Sequence, residues 1–401
     1  MSRPRIVVTG IGGVTPLGPN LAETWLRLVR GEHGIRPVTV FPDAGYRSHR
    51  AGECTLPPVP GRFDARALLR LPRASRLLLP AAAEALEMAA LPAHDGLALS
   101  FSTTAGGMNF GEEFLRELTA SHRARFARIA RYHPQQQLLD LQEALAFRAG
   151  ATFLVANSCA SGANSIGHAL DWLQAGRGEV ALAGGFEALC ELVFAGFDCL
   201  QAQTTGVCRP FDQGRSGLLL GEAAGCLVLE TESHARKRGA APLAVLAGYG
   251  HSTDNHHLTQ PAPTGAALVR ALRDACTRAG IAPGDIDYVN AHGTATPAND
   301  PAEQNAYVEV FGDALAAGRP QIRSTKAAIG HTLGAAGAIE AIFAVKSLQS
   351  GTLPPQLGLE QPLPGMEQSL AGTLPATGAR YVASTNLGFG GSNAALIFAA
   401  P

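Results

Sequence analysis

One thiol sits inside a run of small residues, VANSCASGANSIG (Val155 to Gly167), where Cys159 lies among Ser158, Ala160, Ser161 and Gly162. The apolar ATFLV before it reads as a short buried strand. IGHALDWLQAG after it reads as a helix that stops at Gly176. A helix N-terminus offers free N–H groups and a partial positive charge, which lower a thiol's pKa, and small neighbours leave room for a substrate. Cys159 is therefore a candidate nucleophile. The alternative, a small buried hydrophobe, is the common state of free cysteine and suits the other six cysteines of the chain.

Three further stretches hold groups that could assist such a nucleophile. YVNAHGTATPANDPAEQ (Tyr288 to Gln304) delivers His292 from a short strand into a loop carrying the hydroxyls of Thr294 and Thr296, and a helix begins around Pro301. STKAAIGHTLGAAGAIEAI (Ser324 to Ile342) holds Lys326, then His331, then a small-residue helix with Glu340. Lys326 and Glu340 lie in apolar surroundings, where buried charges need each other, so an ion pair is expected with His331 as the reactive group beside it. STNLGFGGSNAALIF (Ser384 to Phe398) contains the glycine loop Gly388-Phe389-Gly390-Gly391, which can bring backbone N–H groups to a developing oxyanion. It is not a dinucleotide fingerprint, because strand, glycine pattern and acidic partner do not occur together.

The elements that must position these groups alternate. RIVVTGIG (5–12), GLALSFS (96–102), EVALAGG (179–185), AGCLVLE (224–230) and APLAVLAGYG (241–250) read as strands, and LAETWLRLVRG and residues 65 to 91 as helical. The strands are apolar runs rather than strict alternations, which predicts an α/β protein with sheets covered on both faces. A shift of 175 residues lays SGANSIGHALDWLQAG (161–176) on AGAIEAIFAVKSLQSG (336–351), pairing Gly162 with Gly337, Ala169 with Ala344 and the LQxG endings. This suggests a duplicated unit whose equivalent helices start at one central place, with a seam near residue 240 dividing halves 1–240 and 241–401.

Composition sets outer limits. The 401 residues include 46% hydrophobic and 16% charged residues with a net charge of −1, enough for a large core and no footprint for nucleic acid. Seven cysteines without a CxxC fit a reducing cytoplasm rather than a disulfide framework or structural zinc site. No run is long and apolar enough to suggest membrane insertion, and no apolar signal core follows the N-terminus.

Taken in order, Cys159 in SCASG, His292 in NAHGTATP, Lys326 and His331 in KAAIGH and Phe389 in NLGFGGSN resemble the β-ketoacyl-[acyl-carrier-protein] synthases of the elongating Cys-His-His type, in the thiolase superfamily. The likeness runs from VVTGIGGVTPLG (7–18) through RPFDQGRSGLLLGEAAG (209–225) to the C-terminus. It implies a thiolase-like duplicated α-β-α-β-α layered fold and decarboxylative Claisen condensation with malonyl-carrier protein. It also implies a homodimer, or a heterodimer with a chain-length-factor-like subunit, and no metal or organic cofactor. The implied roles are Cys159 as nucleophile, the N–H groups of Cys159 and Phe389 as oxyanion hole, and His292 and His331 as enolate donors. Lys326 with Glu340 would set the local field, and Phe389 on its Gly388 hinge would act as a gate. The chain departs from the family pattern at Ala327, Ser216 and Ala224 and in a shortened loop before RPFD. TTAGGM (103–108) and HSTDNHHLTQPAPTG (251–265) look more like specialised pathways, such as those of aryl polyenes. A coenzyme A-dependent thiolase would need a second cysteine near the C-terminus, and none follows Cys276. A non-catalytic partner subunit would lack Cys159.

The resemblance also implies an acidic acyl carrier protein as partner, hence a basic rim. Arg66, Arg70, Arg73 and Arg76 have spacings that suit one helical face. Arg116, Arg123, Arg125, Arg128 and Arg131 are a second candidate set. Met108, Asn109 and Phe110 are expected in the acyl-pocket wall near a subunit interface.

Overall fold

The computed structural model describes residues 3–61, 63, 65–92, 94–372 and 378–401. Among them are β1 (Ile6–Val14), β2 (Ile35–Pro37), β3 (Arg50–Gly52), β4 (Ala98–Ser102), β5 (Ala151–Val155), β6 (Val180–Glu187) and β7 (Ala223–Thr231). The second half of the chain adds β8 (Ala244–Thr253), β9 (Tyr288–Asn290), β10 (Gln321–Arg323), β11 (Tyr381–Gly388) and β12 (Ser392–Ala399). β2 and β3 form a separate two-stranded sheet, with Gly52 of β3 also bridging to Gly221; the remaining strands form one sheet in the order β10-β9-β11-β12-β8-β1-β7-β6-β4-β5.

That order reads the same outward from its middle. β1 and β8 meet antiparallel, Val7 opposite Val245. From β1 the chain continues β7, β6, β4, β5, and from β8 it continues β12, β11, β9, β10. In each half the first two pairings are antiparallel and the last two parallel. β1, β6 and β7 are buried along their whole length, which is why they read as apolar runs rather than alternations. The helix Arg73–Met88 packs on β1 and β7, and Ala266–Ala279 on β8 and β12. Between the half-sheets lie Ser161–Gln174 and Ala336–Ser350, each touching strands of both halves. The result is the layered, duplicated α/β architecture expected from the sequence.

Glycines set the spacing of these layers. A Cβ on Gly10 or Gly12 would stand 2.1 or 2.2 Å from the carbonyl oxygens of Ala85 and Ala81. On Gly248 or Gly250 it would stand 2.1 or 2.0 Å from those of Ala275 and Ala271. The same Gly-x-Gly spacing thus lets an outer helix lie directly on the first strand of each half. The 175-residue shift is likewise structural. The central helices touch through Gly162 and Gly337, and each follows a 3₁₀ turn (Ser158–Ala160, Leu333–Ala335) whose first residue has positive φ, 62° and 47°.

One local expectation is refined and one changes. Residues 65 to 91 are helical as expected but in two pieces, Ala65–Leu68 and Arg73–Met88, because Pro72, with an extended ψ of 151°, starts a new helix. ATFLV is not a buried strand: β5 ends the sheet and its side chains are partly exposed. Among the described residues, no helix is long and apolar enough to cross a membrane.

Candidate active site

Cys159 stands at the crossing of the two halves. It is the middle residue of the 3₁₀ turn that feeds the helix Ser161–Gln174, and it is buried. It opens on a pocket of about 360 Å³ shared with His292, His331, Thr294, Thr296, Gly388 and Phe389. Residues separated by as many as 230 positions therefore meet at one cavity, as the four motifs suggest.

Each group is held from outside the pocket. The backbone N–H of His292 donates to Glu303 at 2.7 Å, and Gly293 donates to the other oxygen of the same carboxylate at 2.7 Å. Tyr307 and Asn299 also donate to Glu303, at 2.6 and 3.1 Å. Asp300 accepts from Phe211 N–H at 2.7 Å and Ala295 N–H at 3.1 Å, pinning the other end of the loop. The backbone of His331 bridges to the segment before β7, its N–H to Leu219 O at 2.7 Å and its carbonyl to Gly221 N–H at 3.0 Å. Glu187 accepts from Thr104 N–H and Gly334 N–H at 2.7 and 2.9 Å, tying the turn after β4 to the loop after His331. Buried carboxylates that collect several N–H bonds in this way fix loops that have no ladder of their own.

The Lys326–Glu340 pair is formed as expected. The ammonium donates to Glu340 and to His292 O, the latter at 2.5 Å. Glu340 also accepts from Asn386 Nδ2 at 2.6 Å. Lys326 and Glu340 are 1% and 2% exposed, so neither charge could stand alone.

The imidazoles of His292 and His331 are perpendicular, with ring centroids 5.2 Å apart. Burial, the Lys326 ammonium and the neighbouring His331 hold His292 well below the usual imidazole range; burial and Lys326 do the same for His331. Both rings are neutral at pH 7. Nδ1 of His331 accepts from the Leu333 N–H at 3.3 Å, so its proton is on Nε2. A neutral imidazole fixed in that tautomer donates and cannot serve as a base at the same nitrogen.

The thiol departs from expectation. Burial pushes Cys159 up to about 12, while Lys326 and the N–H of Phe389 pull it down and Glu187 and Glu340 push it further up. The thiol is not acidic at rest, because desolvation outweighs the Lys326 charge and the Phe389 N–H. Burial also raises Cys208, to about 12, and Cys190. What distinguishes Cys159 is its pocket and its donors rather than an acidic thiol.

The glycine loop lies against the nucleophile. A Cβ on Gly388 would stand 3.2 Å from Cys159 N and 3.1 Å from Ala160 N, so a side chain there would crowd both N–H groups. Thr294 and Thr296 line the pocket with their hydroxyls 3.0 Å apart. Met108, Asn109 and Phe110 do not line this pocket; Asn109 Nδ2 donates to Leu189 O at 2.7 Å, and the Arg128 guanidinium lies over the Phe110 ring.

The arginine stripe is not a stripe. Arg66 and Arg70 are exposed around the short helix Ala65–Leu68, whereas Arg73 turns inward in the next helix. Its Nε donates at 2.8 Å to Glu222, a wholly buried carboxylate that also accepts from Cys54 and Leu189 N–H groups. Arg76 is half-buried beside it, with an Nε that finds no partner. In the second set, Arg116, Arg125, Arg128 and Arg131 all pair with carboxylates, those of Glu191, Glu117, Glu113 and Asp140 respectively. Charge count in the sequence could not separate solvated from engaged guanidinium groups. Sequence reasoning also missed Glu187, Asp300 and Glu303. The run NDPAE after HGTATP was the only local sign of the last two.

Comparison with known proteins gives the family of the chain. Residues 3–235 match the family model "Beta-ketoacyl synthase, N-terminal domain", and residues 243–360 match "Beta-ketoacyl synthase, C-terminal domain". Over 98% of both chains the sequence is 34% identical to 3-oxoacyl-[acyl-carrier-protein] synthase 2 of Staphylococcus aureus. It is 36% identical to nodulation protein E of Rhizobium meliloti over the same share of each. A solved structure described as the ishigamide ketosynthase/chain length factor superposes with a TM-score of 0.92 over the full length of both chains, at 30% identity.

Proposed function

The chain belongs to the β-ketoacyl synthase family, and from that membership we propose that Cys159, His292 and His331 carry out its carbon–carbon bond formation on acyl-carrier-protein thioesters. In the first half-reaction the Cys159 sulfur attacks an acyl thioester, its proton passing to the departing carrier thiol. The N–H groups of Cys159 and Phe389 hold the oxyanion. In the second, a malonyl thioester loses carbon dioxide, and His292 and His331 donate to the enolate oxygen. The enolate carbon attacks acyl-Cys159, and the sulfur leaves with the electron pair of the broken bond. The chain is two carbons longer and again carrier-bound.

The observation that carries this reading is the shared pocket of one thiol, two neutral imidazoles and the Phe389 loop, with the His331 proton fixed on Nε2. Lys326, paired with Glu340, keeps the imidazoles uncharged. Thr294 and Thr296 receive the pantetheine arm, and Gly388 lets Phe389 swing as a gate. Docking of the carrier protein is assigned to Arg66 and Arg70 as the exposed members of the first set. The two halves are 1–240 and 241–401.

The working unit is a dimer. β5 leaves one sheet edge unpaired within the chain. The nearby helices Met108–Ser121 and Phe126–Ala130 bury no residue in the chain, while Leu115 and Phe126 are exposed. A homodimer is the simplest partner; a chain-length-factor-like subunit is the second reading, favoured by the likeness to the ishigamide ketosynthase/chain length factor. Seven unpaired cysteines suit a cytoplasmic enzyme. The specialised acyl substrate suggested by the sequence belongs with this proposal, and the likeness to nodulation protein E is in keeping with it.

The test is mass spectrometry after incubation with an acyl-carrier thioester. One acyl mass is expected on the Cys159 peptide, and none in Cys159→Ser. His292→Ala and His331→Ala should keep loading but lose malonyl decarboxylation by about 10²–10³ each. Loading on Cys190 or Cys208, or unimpaired decarboxylation in both variants, would overturn the assignment.

A further inference from the structure

We propose that Phe197 is a positioning residue that holds the Phe389 ring in a closed place in the Cys159 pocket, through a near-parallel, offset stack. This rests on the reading of Phe389 as a gate.

Phe197 and Phe389 are stacked, with centroids 5.3 Å apart and planes 20° from parallel. Both line the pocket that contains Cys159. The two rings are mounted very differently. Phe197 belongs to the helix Glu191–Cys199, which is fastened at several points. Phe194, one turn earlier, is fully buried between Phe41 and Tyr46, at centroid distances of 5.2 and 5.4 Å. The Tyr46 hydroxyl donates to Glu191 at 3.1 Å, and the Arg47 N–H donates to Asp198 at 3.2 Å. Segment 41–47 therefore straps the helix at residues 191, 194 and 198, and Phe197 projects from a fixed rod.

Phe389 is mounted on a glycine loop. Gly390 and Gly391 have φ of 79° and 83°, and a Cβ on Gly390 would meet nothing within 4 Å. The loop is tied by two backbone bonds, Gly390 N–H to Leu258 O at 2.7 Å and Asp254 N–H to Gly391 O at 2.9 Å. Neither bond involves the Phe389 ring. Among the described residues, the ring's one aromatic contact is Phe197. A fixed post facing a ring on an open hinge makes a latch, and the acyl group must displace it to lodge on Cys159. Phe197 is thus a specificity element as well, because an incoming chain has to win its space against the stack.

An aromatic pair is worth about 0.5–1.5 kcal/mol beyond burial, which corresponds to a roughly 2- to 13-fold bias toward the closed ring. The experiment places 4-fluorophenylalanine at position 389 of the full-length enzyme and records its fluorine resonance. In the parent a ring-current-shifted, stacked signal should dominate. Phe197→Leu removes the ring current itself, so its closed and open populations are taken from fluorine relaxation dispersion, and their ratio should move by about 2- to 13-fold from the parent value. Phe197→Tyr, which keeps the ring, should restore the parent spectrum. Acylation of Cys159 by a long-chain acyl-pantetheine thioester should shift the parent signal to the open position. A closed-to-open ratio unchanged by Phe197→Leu, failure of Tyr to rescue, or a stacked signal that survives acylation would each overturn the latch. Failure of the parent to acylate at Cys159 at all would instead strike the reaction assigned to the site, while the Leu and Tyr spectra would still decide the stack.

Discussion

Replacing Glu340 by glutamine should strand an ammonium ion in the core. Lys326 is 1% exposed, and its partners are the Glu340 carboxylate and the His292 carbonyl. Glutamine keeps the shape and can still accept from Asn386, now 2.6 Å from the Glu340 carboxylate, but it carries no charge. Removing one partner of a buried pair costs about 3–5 kcal/mol. At roughly 2.1 cal/mol/K of unfolding entropy per residue, the chain has about 0.8 kcal/mol/K, so the melting temperature should fall by about 4–6 °C. Adding Lys326→Met removes the stranded charge and leaves one buried carbonyl without a donor, at about 1–3 kcal/mol. The double variant should therefore be more stable than Glu340→Gln, by roughly 2 kcal/mol or about 2–3 °C. Melts followed by near-ultraviolet circular dichroism, with urea unfolding as a check, give the three values needed. A double variant less stable than the single one would mean that the two charges are not an energetic unit, and the account of the site's field would fail with it.

Because His292 and His331 are held well below 6.5, malonyl decarboxylation should show no acid limb between about pH 8 and about pH 6, and Lys326→Met, which removes one cause of the shift, should bring such a limb upward. For stability, the unfolded histidines take up protons below about 6.5 and the folded ones do not. Stability attributable to each is therefore lost as pH falls, at up to about 1.4 kcal/mol per pH unit, and His331→Asn should flatten the melting curve against pH by up to that slope. Gly388→Ala would press a methyl toward the N–H groups of Cys159 and Ala160; acyl loading, read by quenched-flow mass spectrometry, should slow toward the roughly 10²–10³ cost of one lost oxyanion donor, and a parental rate would show the loop is not an oxyanion wall. Arg66→Glu with Arg70→Glu should raise KM for carrier-bound substrate and leave a pantetheine substrate unchanged. Arg73→Glu should instead lower stability by about 3–5 kcal/mol, because it sets a second carboxylate against buried Glu222; a folded Arg73→Glu enzyme with only a KM defect would return Arg73 to the docking surface.

The residues at the candidate site were legible in the sequence because their chemistry is local. A cysteine among Ser, Ala and Gly, a histidine followed by glycine, and Gly388-Phe389-Gly390-Gly391 each announce a turn with room around it. The duplicated fold was legible too, since apolar runs mark strands covered on both faces, and Gly162 and Gly337 keep their spacing because two helices cross there. Three matters were settled only by tertiary packing. The thiol's acidity depends on how much water the assembled pocket excludes, and burial overrode Lys326 and the Phe389 N–H at Cys159. The fate of an arginine depends on whether a carboxylate from a distant segment reaches it, as Glu222 reaches Arg73 across 149 positions. The stack of Phe197 on Phe389 joins residues 192 positions apart, and no periodicity or composition along the chain encodes a contact made only when the two halves close on each other.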